Sequence, residues 1–444
     1  MSDKWRSMSA ADLGRGIGAG EIDPVELTEV FLAAIEANPL SDRVYVLTTP
    51  ARARAEAAAA SERAKNGCRL HPLDGVPISW KDLYDAVGEP TRAGTALLDG
   101  EPAAEADALC LARASAAGLV CLGKTHMTEI AFSGLGVNPV TATSPNPNGE
   151  DWAPGGSSSG AAASVTQGLA AAGIGSDTGG SVRIPSAWQN IVGLKTTLGL
   201  IPVDGSKALA AGFDTVGPLC RTVEDAALLT SVMAATPAPD LSGASLEGMR
   251  FLADTGVMLS DGDAEPIAAY EAALEKLEAA GAEIVRQEVP EYSQALSCAA
   301  PLIVAEAWAE WGERIERDGD KMFFQVRDRT APGRDVSAAT YLRAWEQLTR
   351  IRASWNARAR GFDAAVAPTA AILPPSVSRL LADEEYYKRI NLVALRNTRI
   401  GNLMGLSALT LPTGTPSCGV MLMGKPGGEE ALLRLGAAAE AALG

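Results

Sequence analysis

Histidine is nearly absent from this sequence, and its scarcity limits the catalytic chemistry that the chain can support. Only His71 and His126 occur among 444 residues. His71 stands before a turn in Cys-Arg-Leu-His-Pro, His126 lies in Lys-Thr-His-Met, and neither has neighbours typical of a catalytic base. We therefore expect structural or surface roles for both, and a serine hydrolase built on this chain would need a base other than histidine.

Signals for metal centres, disulfide frameworks and phosphate-binding surfaces are also missing. The six cysteines are scattered without a Cys-x-x-Cys pair, which fits reduced core thiols better than zinc ligands or disulfides. Acidic residues outnumber basic ones by 54 to 38, for a net charge of −16, whereas proteins that bind nucleic acids usually carry a basic face. The sequence therefore predicts no metal, no cofactor and no nucleic-acid partner.

No apolar run in the sequence is long enough to cross a bilayer. The alanine-rich residues 161–175 are too few and too polar, and residues 1–6 lack the apolar core of a secretory signal. We therefore expect no membrane association and a cytoplasmic location. The sequence is compatible with a homodimer and with a requirement for a small accessory subunit.

Two segments rich in glycine and serine carry the main chemical signal. Residues 155–160 read Gly-Gly-Ser-Ser-Ser-Gly, and residues 177–181 read Asp-Thr-Gly-Gly-Ser. Successive glycines before Ser181 allow several backbone N–H groups to point at one position beside a hydroxyl. A nucleophile beside converging donors is what acyl transfer requires, so we predict an active site here.

Two other interpretations of these segments are weaker. A Gly-Ser run can be a flexible linker, but residues 155–160 lead directly into the helix-favouring residues 161–165. Asp-Thr-Gly is also the aspartic-protease triplet, but that chemistry needs two carboxylates and no second triplet occurs.

Lys81 is the candidate base. A Gly-Val-Pro turn at residues 75–77 leads into a short apolar stretch that ends in one lysine beside Trp80. Desolvation can lower the pKa of a lysine until it accepts a proton. The pKa must fall from about 10.4 to near 7, roughly 4 kcal/mol, so we expect dry surroundings for Lys81. Without the serine segments, a solvent-facing lysine at a strand end would be the simpler interpretation.

The order Lys81, Ser157, Ser181, with its flanking residues, resembles the amidase signature family of serine hydrolases. The similarity includes residues 144–147, 155–160, 175–185 and 193–197, and with residues 123–129, 132–139 and 402–412 it extends over nearly the whole chain. By this resemblance Ser181 is the nucleophile, Ser157 is a bridging serine on a cis peptide, and Lys81 is the base.

The same resemblance implies roles for the residues around the nucleophile. The implied oxyanion hole consists of the backbone N–H groups of Thr178, Gly179, Gly180 and Ser181. The implied supporting residues are Asp177, Arg183 and Ser158. We expect the side chains of Asp177 and Arg183 to fix the loop that carries Ser181 through hydrogen bonds.

Apolar strand patterns alternate with helical patterns along the chain, which is typical of an α/β fold. Strands are predicted at residues 78–80, 119–122, 171–174, 249–253, 283–289, 364–367, 408–411 and 419–423, and helices at 106–117, 158–168 and 265–280. We expect a single domain, residues 1–444, with one large sheet flanked by helices on both faces; the resemblance implies a mixed sheet of about a dozen strands. Within it we predict an N-terminal helical segment (1–66), a catalytic core (75–225) and a helical substrate-covering region (300–360).

Residues 300–360 contain aromatic residues at helical spacing. They are Trp308, Trp311, Tyr341, Trp345 and Trp355. Packing between helices is the default expectation for these residues. The alternative is that some of them line an acyl pocket, a role that Phe323 and Phe324 could share.

Two single residues outside this region also stand out. Arg92 could meet an acidic substrate, although a surface position is favoured. Met421 stands where the family commonly has a polar residue such as glutamine.

The leading functional hypothesis is an amidohydrolase that cleaves a small carboxamide to a carboxylate and ammonia or an amine. A ureido-type hydrolase with an allophanate or biuret-like substrate is one alternative. Another is the glutaminase subunit of a tRNA-dependent amidotransferase, whose usual Asp-Glu-Phe-Ala-Met-type stretch is replaced here by Thr-Glu-Ile-Ala-Phe at residues 128–132. A non-catalytic binding relative is disfavoured because Lys81, Ser157 and Ser181 are all present.

Overall fold

A single mixed sheet organises the chain. In the computed structural model, which describes residues 2–444, this sheet has eleven strands in the spatial order β1-β3-β2-β4-β6-β5-β10-β11-β9-β7-β8. The strands are β1 (Tyr45–Thr48), β2 (Pro77–Lys81), β3 (Val120–Thr125), β4 (Ala172–Asp177), β5 (Val192–Lys195), β6 (Thr215–Cys220), β7 (Arg250–Asp254), β8 (Glu283–Gln287), β9 (Ala364–Pro368), β10 (Ser407–Pro412) and β11 (Gly419–Gly424). The predicted α/β class and single large mixed sheet are confirmed. Met1, where the predicted segment 1–66 starts, lies outside the described residues.

Strand direction divides the sheet into two parallel parts joined by antiparallel strands. Strand β2 runs parallel to β3 and β4, and β7 runs parallel to β8 and β9, while the remaining pairs are antiparallel. Every residue of the central strands β2, β4, β6, β5 and β11 is buried. Because successive side chains of a strand point to opposite faces, both faces of the sheet centre are covered.

Helices provide this cover. In the described part of the chain they are α1 (Ala10–Gly18), α2 (Pro24–Ala37), α3 (Pro50–Lys65), α4 (Leu109–Ala116), α5 (Ser159–Thr166), α6 (Arg183–Trp188), α7 (Val223–Ala234), α8 (Ala264–Ala279), α9 (Pro290–Asp318), α10 (Phe324–Thr330), α11 (Ala338–Arg358), α12 (Val377–Ala382), α13 (Glu384–Leu403) and α14 (Glu429–Leu443). The start of helix α2 is fixed by local sequence, because the Asp23 side chain accepts from the N–H of Val25 and Pro24 occupies the first turn. None of the helices within residues 2–444 combines the length and apolarity needed to span a membrane.

Three strands and one helix differ from the sequence-based expectation. Strands β1, β5 and β6 were not predicted: β1 and β5 have only four residues each, and β6 carries Gly217 and Pro218 in its interior, which mask a strand pattern. The helical pattern predicted from residue 300 belongs to α9, which begins at Pro290 and continues through Pro301. An interior proline costs about 3 kcal/mol. Burial of the apolar face of α9, which includes Leu302, offsets this cost.

Candidate active site

Parallel strands β2 and β4 bring Lys81 next to the serine-rich loops. The register pairs Trp80 with Ile174, so Lys81, the last residue of β2, lies beside the carboxyl end of β4. Its Nζ is 2.7 Å from the Oγ of Ser157 and 2.8 Å from the Oγ of Ser176. Carboxyl ends of parallel strands are a common place for active sites in α/β folds, and Lys81 is positioned there by the sheet itself.

Lys81 is fully buried, as the sequence predicted. Burial lowers the pKa of Lys81 to about 7, although the negative charges of Asp214 and Asp177 act in the opposite direction. An amine with this pKa is substantially neutral at pH 7 and can accept a proton. The side chain therefore has the burial and the contact that a general base requires.

The segment that carries Ser157 is packed against neighbouring backbone and is no linker. The Gly156–Ser157 peptide bond is cis, which agrees with the prediction from the family resemblance. The Gly156 N–H donates to the carbonyl of Gly134 (2.9 Å), and the Ser157 carbonyl accepts from the N–H of Thr128 (3.0 Å). At Gly155, whose φ is +78°, a Cβ would lie 2.7 Å from the Cα of Pro185, so only glycine fits.

Ser181 lies in the loop between β4 and α6, with its side chain at a cavity. The empty space of this cavity, part of which is open to solvent, is about 290 Å³, and Thr178 and Gly179 also line it. Within residues 2–444 the Ser181 hydroxyl makes no hydrogen bond, including none with the hydroxyl of Ser157; the two segments are joined by the Ser158 N–H, which donates to the Ser181 carbonyl (3.2 Å). The structure thus brings Lys81 and Ser157 into contact and leaves the Ser181 hydroxyl facing the cavity.

Asp177 and Arg183 form a fully buried ion pair that braces the Ser181 loop. The Nε and Nη2 atoms of Arg183 each donate to the Asp177 carboxylate at 2.9 Å, and Nη2 also donates to Asn402 (2.6 Å). Burial alone would raise the pKa of Asp177, but the charge and hydrogen bonds of Arg183 hold this pKa below its usual range. Arg183 Nη1 also contacts the sulfur of Met421 at 3.2 Å, where the family resemblance led us to expect a polar partner.

The Asp177 carboxylate also fixes the backbone conformation at the Gly179-Gly180 pair. The N–H of Gly180 donates to Asp177 Oδ1 at 2.8 Å, and Gly180 has a φ of +139°. A Cβ on Gly180 would lie 2.1 Å from the hydroxyl of Thr398. Because its N–H is already engaged, Gly180 fixes the loop in this structure, while the N–H groups of Thr178, Gly179 and Ser181 make no backbone hydrogen bonds within residues 2–444.

Two further residues belong to the site and were not singled out from the sequence. Ser176 contacts Lys81 directly. The hydroxyl of Ser158 donates to the Ser176 carbonyl (3.2 Å) and accepts from the Ser176 N–H (3.3 Å). Asp214 accepts from the hydroxyl of Thr178 (2.5 Å) and from the N–H groups of Leu209 and Ala210. Burial raises the pKa of Asp214 to about 6. Ser176 could have been noticed inside the 175–185 motif, but Asp214 lies 33 residues beyond Ser181 (214 − 181) in a segment without a recognisable pattern.

Several residues considered from the sequence lie away from this centre. The Nδ1 atom of His71 accepts from the N–H of Leu73 (3.1 Å), and neither histidine hydrogen-bonds with Ser181 in the described chain. Arg92 pairs with Asp99 at the protein surface. None of the aromatic residues considered in region 300–360 lines the cavity; that region contributes Ile303 and Arg329 instead.

The described residues offer no cluster suited to a metal ion. No group of three or more histidine, cysteine or acidic side chains within residues 2–444 is arranged to hold one. All six cysteines are unpaired in this part of the chain; Cys68 is exposed and the other five are buried.

Comparison with known proteins relates this geometry to a family. The family model described as Amidase matches residues 26–433. The chain is 36% identical to the 2-amino-5-chloromuconic acid deaminase of Comamonas testosteroni, over 98% of this chain and 97% of the relative. It is 34% identical to a glutamyl-tRNA(Gln) amidotransferase subunit of Anaeromyxobacter dehalogenans (strain 2CP-C), over 98% and 96% of the two chains. A solved crystal structure of an amidase superimposes with a TM-score of 0.88 at 28% identity, covering 98% of this chain and 100% of the other.

Proposed function

Because the chain belongs to the amidase family and is thus an enzyme that acts on amide C–N bonds, we propose that it hydrolyses a small carboxamide through a Ser-Ser-Lys relay. The observation that carries this proposal is the 2.7 Å contact between the buried amine of Lys81 and the hydroxyl of Ser157. The products are a carboxylate and ammonia or an amine.

The relay begins with neutral Lys81. Its amine takes the proton of Ser157 as Ser157 takes the proton of Ser181, whose hydroxyl turns from the cavity toward Ser157 in this step. The Ser181 oxygen then attacks the amide carbon and forms a tetrahedral intermediate. One lysine can serve because burial keeps its pKa near 7, close to the pH at which it must both accept and release a proton.

The negative oxygen of the intermediate needs donors that are free before the reaction. In our proposal these are the N–H groups of Thr178, Gly179 and Ser181, three residues that line the cavity. Gly180, predicted as a fourth donor, acts through its hydrogen bond to Asp177 by holding the loop. Asp177, Arg183 and Ser158 are positioning residues that keep these donors aimed at the cavity.

Breakdown of the intermediate reverses the relay. Protonated Lys81 returns its proton through Ser157 to the leaving nitrogen, the C–N bond breaks, and the acyl group stays on Ser181. Water then attacks the acyl-enzyme with the same base, which releases the carboxylate and restores the Ser181 hydroxyl.

Covalent labelling tests the relay directly. A fluorophosphonate should add one adduct to the protein, detected by intact-mass measurement, and Ser181→Ala should abolish it. Lys81→Met and Ser157→Ala should slow labelling by about 100-fold or more, in the range expected for loss of general-base assistance. Ser159→Ala is the matched control: this buried serine lies in the same run and hydrogen-bonds with Ser144 away from Lys81. Unmodified Ser181 in folded protein would refute the proposal.

A second candidate is the glutaminase subunit of a tRNA-dependent amidotransferase, and the 34% identity to an amidotransferase subunit favours it. This alternative uses the same relay on glutamine and supplies the ammonia to partner subunits. It predicts glutamine hydrolysis that increases when partner subunits are co-expressed. A ureido-type substrate would instead release carbamate-derived products from an allophanate or biuret-like compound.

A further inference from the structure

Two arginines face the cavity beside Ser181 without acidic partners. Arg329 comes from α10 and Arg399 from α13, and both line the cavity. Within residues 2–444, neither side chain forms an ion pair with a carboxylate. All other cavity-lining residues are uncharged, so the two positive charges are not balanced inside the cavity.

The contacts of each guanidinium place it at the cavity wall. Arg329 lies 4.3 Å over the ring of Phe132, and its Nη1 donates to the Phe132 carbonyl at 3.1 Å. Arg399 has its Nε 3.9 Å from where a Cβ would stand on Gly179, which puts it beside the loop of the nucleophile. The Nη2 of Arg399 is buried and has no hydrogen-bond partner in the described chain.

This arrangement carries an energetic cost that an anion would relieve. Burial lowers the pKa of Arg329 to about 9, with a further contribution from the charge of Arg399, and burial also lowers the pKa of Arg399 to about 10. Buried charges are normally paired, and guanidinium groups match the two oxygens of a carboxylate. The unpaired donors therefore fit an anionic ligand group.

We propose that the substrate is a small amide with a carboxylate group and without an ammonium group. Arg329 and Arg399 bind the carboxylate. This inference rests on the proposed function, because it places the scissile amide at Ser181. The guanidinium of Arg399 lies beside the loop of Ser181, with its Nε 3.9 Å from where a Cβ would stand on Gly179, so only a short carbon chain fits between amide and carboxylate. No acidic side chain of the described chain lines the cavity to balance an ammonium group, which would also be repelled by two arginines.

The chemistry of this class is that of half-amides of short dicarboxylic acids. Glutaramate represents it, glutaramide is its uncharged counterpart, and glutamine differs from glutaramate by an α-ammonium group. We expect kcat/KM for glutaramate to exceed that for each of the other two by about 10- to 100-fold, the range of one charge-assisted hydrogen-bonding pair. The amidotransferase alternative predicts the opposite order for glutamine.

Arginine variants test whether the preference comes from these side chains. Arg399→Met and Arg329→Met should each lower kcat/KM for glutaramate by about 10- to 100-fold while changing that for glutaramide by less than about threefold. Arg396→Met is the matched control, because Arg396 lies on the same helix but contacts Ser260 and does not line the cavity. Equal losses on both substrates would overturn the inference.

A binding measurement covers the case in which the variants fail to fold. In Ser181→Ala protein with both arginines intact, glutaramate should bind at least about tenfold more tightly than glutaramide by titration calorimetry. Equal affinity would overturn the carboxylate site. Labelling of Ser181 by the fluorophosphonate, together with equal cleavage of the acidic and neutral amides, would refute the substrate inference and leave the relay intact. Absence of labelling would refute the relay itself.

Discussion

Replacing Arg183 with methionine should both destabilise the protein and disturb the loop that carries Ser181. The side chain makes two hydrogen bonds to the Asp177 carboxylate and one to Asn402, and it is completely buried. Removal leaves the carboxylate with the backbone donors of Gly180 and Val182 and the amide of Asn402, but without a guanidinium. A buried charge then stays uncompensated by its main partner.

Breaking a buried pair in this way costs about 3–5 kcal/mol. Asp177→Asn leaves Arg183 without its carboxylate and should cost a similar amount. The double variant removes both charges, so its loss should fall short of the sum by about 2 kcal/mol or more, as expected for residues in direct contact. Arg92→Met is the control: its partner Asp99 is exposed, and we expect a change below about 1 kcal/mol.

Urea unfolding measures these differences, and the fluorophosphonate labelling rate reports the loop. The pH dependence follows from the lowered pKa of Asp177: its contribution to stability is present above the unfolded-state pKa near 3.8 and is lost as pH falls through the folded-state pKa. Without the guanidinium, burial raises the pKa of Asp177 in the folded variant, so the deficit of Arg183→Met should shrink as pH falls through that raised pKa, at which the carboxylate of the variant takes up a proton and that of the parent does not. Unchanged stability and unchanged labelling at pH 7 would refute the bracing role.

Two other predictions concern the base and the loop. Protonated Lys81 cannot accept a proton, and its pKa is about 7, so kcat/KM should fall about tenfold per pH unit below pH 7. Initial-rate profiles from pH 5 to 9 measure this fall, and a flat profile would contradict the assignment of Lys81 as the base. Gly180→Ala puts a methyl group 2.1 Å from Thr398 at a φ of +139°, so it should cost about 1–3 kcal/mol and slow labelling at least about tenfold. Gly199→Ala, also at positive φ (+81°) but in open space, should leave labelling unchanged, and equal effects of the two substitutions on labelling would contradict the steric argument.

Sequence reasoning identified the parts of the site that are local in the chain. Glycine runs, the turn before Lys81 and the order of the motifs are visible as patterns, because they reflect backbone requirements and family resemblance. The strands around Lys81 were predicted with their first residues correct to within one position, since continuous apolar runs mark strands that are buried on both faces, but β3 and β4 each continue three residues beyond the predicted end. The roles assigned to the three relay residues stay predictions.

The missed features depend on contacts between distant segments. Asp214 joins the site through a hydrogen bond to Thr178, 36 residues away, and Arg399 lies more than 200 residues along the chain from Ser181, although both line the same cavity. Arg92 was the arginine considered for an acidic substrate, yet only the fold reveals that it pairs with Asp99. Nothing in the local sequence separates a cavity arginine from a surface arginine. Strand β6 was missed for a different reason, since its glycine and proline contradict local propensity and tertiary pairing prevails.

Helix α13 carries two rows of side chains, one at the cavity and one against the Ser181 loop. Leu395 and Arg399, four residues apart, line the cavity. Thr398 and Asn402, also four apart, hold the Ser181 loop through hydrogen bonds to the Gly179 carbonyl and the Asp177 carboxylate. Because residues four apart share one stripe of a helix, mutations on the first row can be selected for new substrates without disturbing the second. Such an arrangement allows substrate preference to diverge among descendants of one ancestral gene while the reaction stays the same.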